Sequence, residues 1–562
     1  MIRKIFNSQT KTVTFAAVLL GTSALISRFL GLIRDRLLAG KFGAGEELDI
    51  YFAAFRIPDF VYGILIMGGV AAVFLPVFSE YFKKGENKED AWKFVNNLLN
   101  CFLILLVLIC GILALFTPLL INFIAPGFSS ENKELAIALT RIMFISPIFF
   151  GISSIFSGVL HYFNRFLAYS IAPVIYNLGI IFGILFLVPR FGLYGLAFGV
   201  ILGAFLHWLL QFPAARNSGY RYLPLLNFKN FGLIKVFKLM VPRTIGAAAY
   251  HINLIVITAI ASTLTAGSIA IFNFANNLQY FPIGLIGVSF SVAVFPVLAR
   301  TWTFGLKEEF FKTFSSTFRQ ILFLIIPTSF LIFILRAQIV RIILGTGEFG
   351  WLETRLTAAC LGIFSLSIFA ASLIPFLVRV FYSFQDTKNP LVVSLISMAL
   401  NVGFCFLFVF LLGFSNLFQE FIINALKLQG IQDISVVGLP LALSISGIFQ
   451  LFLLLFFLRK KTTDFRANEI LQSFGKILIA SVLMAIFTYF SLFFIAGFLN
   501  TTTFAGILIQ TITACLAASA VYILISVLLK SPEIKVIWSS ITELPKEAKV
   551  KKKTKFSSPT EK

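Results

Sequence analysis

Long apolar runs, separated by short polar segments, follow one another along almost the whole chain. Runs of about 20 or more apolar residues predict transmembrane helices, and their continuity excludes the alternating pattern of a membrane β-barrel. The pattern therefore predicts an all-α integral membrane protein with about fourteen transmembrane helices. These helices are expected near residues 13–38, 48–80, 91–122, 134–161, 166–188, 192–214, 232–264, 267–299, 312–345, 354–384, 388–414, 436–458, 470–498 and 502–529.

The composition supports this class. Of 562 residues, 59% are hydrophobic and 12% are charged, which excludes a soluble globular domain. Much of the net charge of +22 lies in loops and in the tail, so we expect it to meet anionic membrane lipids and not nucleic acid. The first apolar run is too long for a signal peptide and lacks a small-residue cleavage site, so we expect a retained first helix.

The cysteines and histidines give no sign of a metal or catalytic centre. The five cysteines lie inside apolar segments without metal-ligand spacing, and the three histidines are scattered. A membrane enzyme needs clustered acids, histidines or a nucleophile with a base, and Asp35, Asp49 and His251 do not form such a set. We therefore expect no catalytic residue, no metal and no cofactor, and a protein that is not an enzyme.

Loop charges predict the orientation. The N-terminal segment is basic, and along the chain basic loops alternate with loops that carry few Lys or Arg. The basic loops lie at 81–90, 215–238, 300–312 and 459–476. The positive-inside rule then places the N-terminus in the cytoplasm, and an even number of spans places the C-terminus there too. The loop at 336–355, which holds three arginines, fits less well. We therefore expect a multi-pass membrane protein with both termini in the cytoplasm.

The two halves of the chain resemble each other. The segment from Ala72 to Phe78 resembles Ala293–Leu298, the one starting at Tyr176 resembles the one starting at Leu400, and Gly195–Ala197 resembles Gly438–Ala442. The offset of about 220–245 residues spans six helices, an even number, so the two copies share one orientation. The repeat predicts two parallel six-helix lobes around a central cavity, which is a transporter architecture.

This repeat sets the expected domain boundaries. Two further helices follow the second lobe, and the lysine-rich end is expected to be a disordered segment at the membrane surface. The expected parts are a cytoplasmic N-terminus (1–12), an N-lobe (13–214), a cytoplasmic linker (215–231), a C-lobe (232–460), two C-terminal helices (461–529) and a basic cytoplasmic tail (530–562).

Charged residues lie within the first apolar segment. It contains Arg28, Arg34 and the neighbouring Asp35 and Arg36. An arginine at mid-bilayer costs about 2.5–3.5 kcal/mol on insertion scales, so it normally faces a cavity or a partner. The arginine side chain also binds phosphate bidentately. These residues predict an anion-binding site, with one arginine facing the anion and the other paired with Asp35 or Asp49. The alternative is that the arginines mark a helix end and reach the headgroups.

Glycines and prolines mark positions where helices bend or pack closely. Gly31 and the pair Gly68 and Gly69 allow the bending that rocking helices need, although ordinary helix packing explains such glycines equally well. Pro58 and Pro282 interrupt the backbone hydrogen bonds near helix ends. We expect these five residues, together with Asp35, to have structural or gating roles.

An ordered series of motifs resembles one family along nearly the whole transport core. The series opens with Ser27-Arg28-x-x-Gly31-x-x-Arg34-Asp35, Phe42-Gly43-Ala44-Gly45 and the segment Asp49–Pro58. It continues with Ala125–Phe128, Ala172-Pro173-x-x-Tyr176-Asn177-x-Gly179, Gln211–Pro213, Pro242–Thr244, Gln279–Val288 and Phe381-Tyr382-Ser383-x-x-Asp386-Thr387-Lys388-x-Pro390. Together these motifs resemble the MurJ/MviN family of lipid II flippases.

The resemblance implies a fold, a substrate and a mechanism. The fold is that of the multidrug/oligosaccharidyl-lipid/polysaccharide exporters, with two extra helices at 461–529 that form a groove for a lipid tail. The substrate is lipid II, a disaccharide-pentapeptide on undecaprenyl diphosphate, which is flipped to the outer leaflet for peptidoglycan and cell wall synthesis. The mechanism is alternating access. The resemblance also implies that the protein lies in the bacterial cell (inner) membrane, and we expect it to be a monomer.

The resemblance also implies site residues, with departures. Arg28, Arg34 and Asp49 stand at positions of charged cavity residues in the family. Two further family arginines correspond here to Tyr62 and Asn277, a family acid to Met67, and an acid of a sodium site to Ile257. Arg56, Arg243 and Arg379 are possible substitutes, and we include Arg56 and Arg243 in the expected diphosphate site.

Two other functions are considered beside the lipid II flippase. The first is an exporter of another polyprenyl-diphosphate-linked oligosaccharide, or a multidrug antiporter of the same superfold. An antiporter is expected to carry carboxylates within its helices, and this chain has very few. The second is a membrane enzyme acting on polyprenyl phosphates, which the missing catalytic cluster disfavours.

Overall fold

The computed structural model describes residues 13–83, 88–462, 466–534 and 536. Within these ranges the chain is helical and contains no β-strand. The helices of the first half are α1 (Val13–Phe42), α2 (Glu46–Val61), α3 (Ala71–Lys83), α4 (Lys88–Leu115), α5 (Thr117–Ile124), α6 (Ser130–Met143), α7 (Ile145–Tyr162), α8 (Phe166–Phe182), α9 (Val188–Phe191), α10 (Tyr194–Asn217) and α11 (Phe231–Ala261).

The described part of the second half is also helical. Its helices are α12 (Ser268–Pro282), α13 (Ser289–Thr303), α14 (Lys307–Ile343), α15 (Trp351–Ser365), α16 (Ile368–Ser383), α17 (Lys388–Leu412), α18 (Leu417–Leu426), α19 (Gly438–Lys461), α20 (Ala467–Ala496) and α21 (Phe504–Leu528), with a 3₁₀ turn at Ser435–Val437.

Ten of the described helices, some built from two consecutive elements, are long and apolar enough to cross a membrane. α15 and α16 form one further span if they are counted together, bent by 48° at their junction. The first, second and seventh predicted segments are helical as well. The prediction of an all-α, multi-pass membrane protein is confirmed. The count of fourteen spans is compatible with these helices and stays a prediction.

Three helices continue into wide π-helical turns. These turns are Tyr62–Val70 after α2, Gly183–Leu187 after α8 and Ile283–Val288 after α12. Pro58 lies inside α2 shortly before the first turn, and Pro282 ends α12 directly before the third. Proline cannot donate the regular backbone hydrogen bond, which is a common cause of such local widening.

The described chain forms two compact units. The first contains residues up to Leu278 together with Ile343–Cys360 and Ser394–Ser446, and the second contains the rest. Phe74, Phe78, Phe94 and Phe102 are buried in the core of the first unit. The core of the second unit is equally aromatic and includes Phe310, Phe314, Phe376 and Phe381. The boundaries of the two expected six-helix lobes stay a prediction.

Small residues bring α8 and α10 into close contact. A Cβ added at Gly183 would lie 2.6 Å from the Cα of Gly199, and one at Gly179 would overlap the backbone of Gly203. Such close backbone approach is typical of helix pairs in membranes, where packing and not the hydrophobic effect holds helices together. It positions Tyr176 and Asn177, one turn or less before Gly179, toward the interior of the first unit.

The linker between α10 and α11 contains an extended strap at Tyr220–Asn227. Three asparagines of α4 hold its backbone. Asn96 donates to the carbonyl of Arg221 at 2.8 Å and accepts from the N–H of Leu223 at 2.9 Å. Asn97 makes the same pair of bonds with the backbone of residue 227, and Asn100 donates to the carbonyls of residues 223 and 225. The strap is therefore fixed by its backbone, which leaves its side chains for other contacts.

Candidate functional site

A polar cavity of about 290 Å³ lies within the first unit. Helices α1, α2, α7, α8, α10 and α12 surround it. Its lining combines two arginines, one aspartate, one histidine and three tyrosines with amide and apolar side chains. The lining residues are Arg34, Leu38, Tyr51, Phe52, Phe55, Arg56, Pro58, Asp59, Tyr62, Ser146, Phe150, Pro173, Tyr176, Ile180, His207, Asn273 and Asn277.

Arg34 reaches this cavity from α1 and is fixed at both ends of its guanidinium. Its Nε and Nη2 donate to Oδ1 of Asp35 at 3.0 and 2.8 Å, and its Nη1 donates to Oδ1 of Asn177 at 3.3 Å. Asn177 is itself held by bonds to Ser27 and to the carbonyl of Pro173. The side chain of Arg34 is still 23% exposed and lines the cavity. Arg34 is thus a preorganised cation.

Asp35 connects α1 with α12. Its second carboxylate oxygen accepts a 2.9 Å hydrogen bond from the amide of Asn277. Asn277 occupies the position where the family resemblance places an arginine. An amide donates to the carboxylate without bringing a charge, so Asn277 satisfies Asp35 and adds no cation to the cavity.

Arg56 is the second cation of the cavity. Its Nε donates to the hydroxyl of Thr258, and its Nη2 donates to the amide oxygen of Asn273, both at 2.7 Å. Both acceptors are neutral, and no described carboxylate lies within 4.0 Å of this guanidinium. Neutral partners orient the arginine without cancelling its charge, so Arg56 can still attract an anion.

Asp59 lies one turn after Arg56 on α2 and faces His251 of α11. The Nδ1 atom of His251 lies 3.7 Å from Oδ2 of Asp59. A Cβ at Gly63 would overlap the imidazole ring of His251, so glycine at this position makes room for the histidine. The side chains of Asp59 and His251 are 31% and 16% exposed. An acid and an imidazole therefore meet at the wall of the arginine-containing cavity.

Asp49 is not among the described residues that line the cavity. Its carboxylate, which is 4% exposed, accepts the backbone N–H groups of Gly267 at 2.7 Å and Ala270 at 2.8 Å. These groups belong to the N-terminus of α12, where backbone donors have no partner within the helix. Asp49 thus caps α12 from α2 and holds the helix that carries Asn273 and Asn277.

The other expected site residues lie at separate places. Arg28 is half-buried on α1 and is not among the described residues that line the cavity. Arg243 lies on α11, and its side chain falls outside the described part of the chain. Gly68 and Gly69 lie in the π-helical turn after α2, where only the backbone is described.

The prolines and Gly31 complete this comparison. Pro58 lines the cavity, whereas Pro282 ends α12. A Cβ at Gly31 would meet no described atom within 4 Å, so close packing does not explain this glycine. Arg379 lies on α16 in the second unit. Among the expected residues whose side chains the structure describes, Arg34, Arg56 and Pro58 line one cavity and Asp35 pairs with Arg34. Arg28, Gly31, Asp49 and Pro282 are not among its lining residues.

Sequence reasoning missed three polar residues of the cavity region. Asp59, His207 and His251 all lie in apolar segments, where an ionisable side chain is costly and usually functional. His207 is held by the hydroxyl of Ser153, 2.6 Å from its Nδ1, and Ser153 in turn accepts from Gln211 at 2.6 Å. The free-energy cost of an ionisable side chain in lipid could have indicated these residues in the sequence. It could not have shown which of them contact each other.

The cavity provides oriented and charged side chains. Among the described residues, no group of three or more His, Cys, Asp or Glu could hold a metal ion. Two oriented guanidiniums with neutral amides between them can exchange the hydration of a phosphate-type anion for charge-assisted hydrogen bonds. Tyr62 also lines the cavity, and the centroid of its ring lies 4.8 Å from that of Phe150.

Comparison with known proteins identifies similar sequences over most of the chain. A family model described as "Lipid II flippase MurJ" matches residues 38–509. A "Probable lipid II flippase MurJ" of Buchnera aphidicola subsp. Schizaphis graminum is 32% identical over 484 residues, covering 84% of this chain and 89% of the relative. A protein with the same description from Vibrio cholerae is 29% identical, covering 73% and 80%. The motif resemblance is confirmed.

Solved structures give the same result. A structure described as "Lipid II flippase MurJ, inward closed conformation" matches with a TM-score of 0.72 and 26% identity, covering 91% of this chain and 99% of that chain. An inward-facing multidrug resistance MATE family transporter of the MOP superfamily matches with a TM-score of 0.64 at 16% identity, covering 80% of this chain and 99% of that chain. The second likeness shows the exporter fold alone.

Proposed function

Because the chain belongs to the lipid II flippase MurJ family, we propose that it carries lipid II from the cytoplasmic to the outer leaflet of the bacterial cell membrane. The transfer supplies precursor for cell wall synthesis and proceeds by alternating access. The protein acts as a transporter and not as a catalyst. The observation that carries the proposal is the pair Arg34 and Arg56 in one polar cavity of a membrane domain.

The two arginines suit the diphosphate of this substrate. A diphosphate carries about two negative charges and loses headgroup water when it enters the cavity, so it needs charged donors in fixed positions. Arg34 is fixed by Asp35 and Asn177, and Arg56 by Thr258 and Asn273. Both can bind the diphosphate with little further loss of side-chain freedom, which favours binding.

The second unit contains an apolar cavity suited to the lipid tail. It measures about 300 Å³ and lies beside α20, one of the two C-terminal helices expected to form a lipid-tail groove. Its walls are almost wholly apolar, and its lining residues are Ile326, Ser329, Phe330, Phe333, Ser365, Leu366, Phe369, Phe474 and Leu478. We propose that this cavity accepts isoprenoid units of the tail.

The strap at Tyr220–Asn227 supports the proposed contact with anionic lipids. Its outward side chains are exposed and apolar, and neighbouring residues of the linker and of α11 are basic. The exposed apolar residues of the strap are Tyr222, Leu223, Leu225 and Leu226, and Phe228 and Phe231 follow it. The basic residues are Arg221 within the strap and Arg216, Lys229, Lys235 and Lys238 around it. Aromatic and basic residues side by side favour the headgroup region of a cytoplasmic leaflet. We therefore propose that this face of the protein and both termini are cytoplasmic.

Two of the three arginines at 336–355, which fit the orientation poorly, lie on α14 and α15 and have structural partners. Arg341 donates to the carbonyls of Thr501 and Thr502, and Arg355 donates to those of Lys427 and Gln429. Arginines used to hold loop backbones are weaker signals of the cytoplasmic side. Reporter fusions at Gly267 and Gly475 should report opposite sides of the membrane, and a report of the same side would exclude the fourteen-helix topology.

Complementation tests the proposed function. Expression of this chain in a bacterium depleted of its own lipid II flippase should restore growth and the accessibility of lipid II at the cell surface. Arg56→Ala should fail in both assays, because Thr258 and Asn273 cannot replace its charge. Arg141→Ala is the matched control, since Arg141 lies on α6 and donates to the carbonyl of Ala114 outside the cavity. Failure of the wild-type chain at normal membrane levels would refute the proposal.

A further inference from the structure

The charges of the cavity region sum to zero when its histidines are neutral. Arg34 and Arg56 contribute two positive charges. Asp59 in the lining and Asp35, which is bonded to Arg34, contribute two negative charges. These four are the charged side chains among the described residues that line the cavity or pair with its arginines. A neutral cavity is a weak host for a diphosphate, so the bound state needs additional positive charge.

His251 is placed to provide that charge. Its Nδ1 lies 3.7 Å from Asp59, which is longer than a hydrogen bond but within reach of an ion pair. Neutral imidazole has one N–H, whereas the protonated ring donates from both nitrogens. Proton uptake from water by the pair would turn this contact into an ion pair and raise the charge of the region from zero to plus one.

We propose that the Asp59–His251 pair is a proton-binding site coupled to anion binding, so that this chain takes up one proton when the diphosphate of lipid II enters the cavity. The inference rests on the proposed function and names a coupling ion for it. The proton enters from water, is shared by the carboxylate and the imidazole, and returns to water when the diphosphate leaves. No covalent bond is formed or broken apart from the N–H or O–H bond of this proton.

The surroundings leave this pair as the titrating group that responds to the anion. Arg56 on α2 is the charged side chain that acts on both members of the pair. Tyr62, Tyr176 and Tyr250 are the neighbouring phenols, and Arg34 and His207 reach the same cavity from α1 and α10. His207 faces Ser153 and Gln211 rather than a carboxylate, so a proton there gains no ion pair.

Gly63 supports the assignment independently of charge. The imidazole of His251 occupies the space that a Cβ at this position would need. Phe60 lies edge-on to the imidazole at 6.5 Å between centroids, and Tyr250 lies edge-on at 5.4 Å. The ring is therefore held against α2 rather than directed into lipid, in the position where it can share a proton with Asp59.

The test is lipid II binding by the purified full-length protein in nanodiscs, measured between about pH 5.5 and pH 8.5, the range in which imidazoles titrate. Coupling of one proton predicts that affinity falls by up to about tenfold for each pH unit on the alkaline side. His251→Gln should remove this slope and bind weakly throughout. Asp59→Asn should also remove it but bind severalfold more tightly at high pH, because one negative charge is gone. Misfolding cannot produce this gain.

Controls separate the possible failures. His161, the remaining histidine of the chain, is exposed, so His161→Gln should keep the wild-type dependence of lipid II affinity on pH. A slope that survives in His251→Gln but disappears in His207→Gln would overturn the assignment. Wild-type binding that does not change with pH would refute the coupling and leave the proposed function intact. No lipid II binding at any pH would refute the proposed function, and the coupling with it.

Discussion

Substitution of Asp49 can distinguish a structural role of its carboxylate from a role in substrate binding. The family resemblance suggests that Asp49 contacts substrate, whereas the structure uses it to cap α12 through the N–H groups of Gly267 and Ala270. We predict that Asp49→Ala destabilises the protein and leaves the lipid II affinity of the folded fraction unchanged.

The magnitude follows from the two hydrogen bonds at 2.7 and 2.8 Å. Loss of a helix N-cap costs about 0.5–2 kcal/mol, and each buried donor left without a partner costs about 1–3 kcal/mol. Because the site is closed to solvent, we expect a loss of roughly 2–4 kcal/mol, near the sum of one cap and one orphaned donor. Asp49→Asn keeps one acceptor oxygen and should lose about half as much.

Thermal melting of the purified protein and lipid II binding below the transition provide the assay. Glu47→Ala is the matched control, because Glu47 is an exposed carboxylate in the first turn of the same helix. The melting temperature should fall clearly for Asp49→Ala and remain unchanged for Glu47→Ala. An unchanged melting temperature together with a collapse of lipid II affinity would refute the capping role and return Asp49 to the binding site.

Three further predictions concern other parts of the chain. Arg34→Ala should abolish surface exposure of lipid II at equal protein levels, and Arg34→Lys should restore little, because an ammonium lacks the planar fork of donors; full activity of the alanine variant would exclude a role in anion binding. Burial opposes ionisation of Asp386, but hydrogen bonds from Lys461 and Asn389 outweigh it and hold the pKa of this carboxyl below its ordinary value. The ionised carboxylate of Asp386 therefore stabilises the fold fully above the unfolded pKa of about 3.9, and this stabilisation is lost as the pH falls through the lower folded pKa. Asp386→Asn should thus lower the melting temperature at pH 7, and the difference from wild type should close below about pH 4; a difference that does not depend on pH would contradict this. Asn100→Ala removes two bonds to the strap and should speed amide exchange in the strap about thirtyfold, the factor for ~2 kcal/mol at about 1 kcal/mol for each bond; unchanged exchange would show that the strap is held elsewhere.

The helices and the family could be predicted from the sequence because both depend on local information. A run of apolar residues long enough to cross a bilayer specifies a helix wherever it lies, since lipid offers no other partner for the backbone. The motifs around Arg34, Tyr176 and Pro282 likewise lie within single segments. Arg34 and Arg56 could be nominated because an arginine within such a segment is costly in lipid.

The partners of these residues were decided only by the tertiary structure. Asp49 and Gly267 are separated by 218 positions, and Asp35 and Asn277 by 242. Asp59 and His251 likewise lie on helices that are far apart in the chain. Periodicity and residue cost indicate that each side chain needs a partner, but several partners are chemically equivalent, and helix packing alone selects among them. The sequence by itself therefore determined that this membrane protein has charged side chains within its helices. The fold decided that Asp49 caps the N-terminus of α12, and that Asp59 contacts the imidazole of His251 near two arginines.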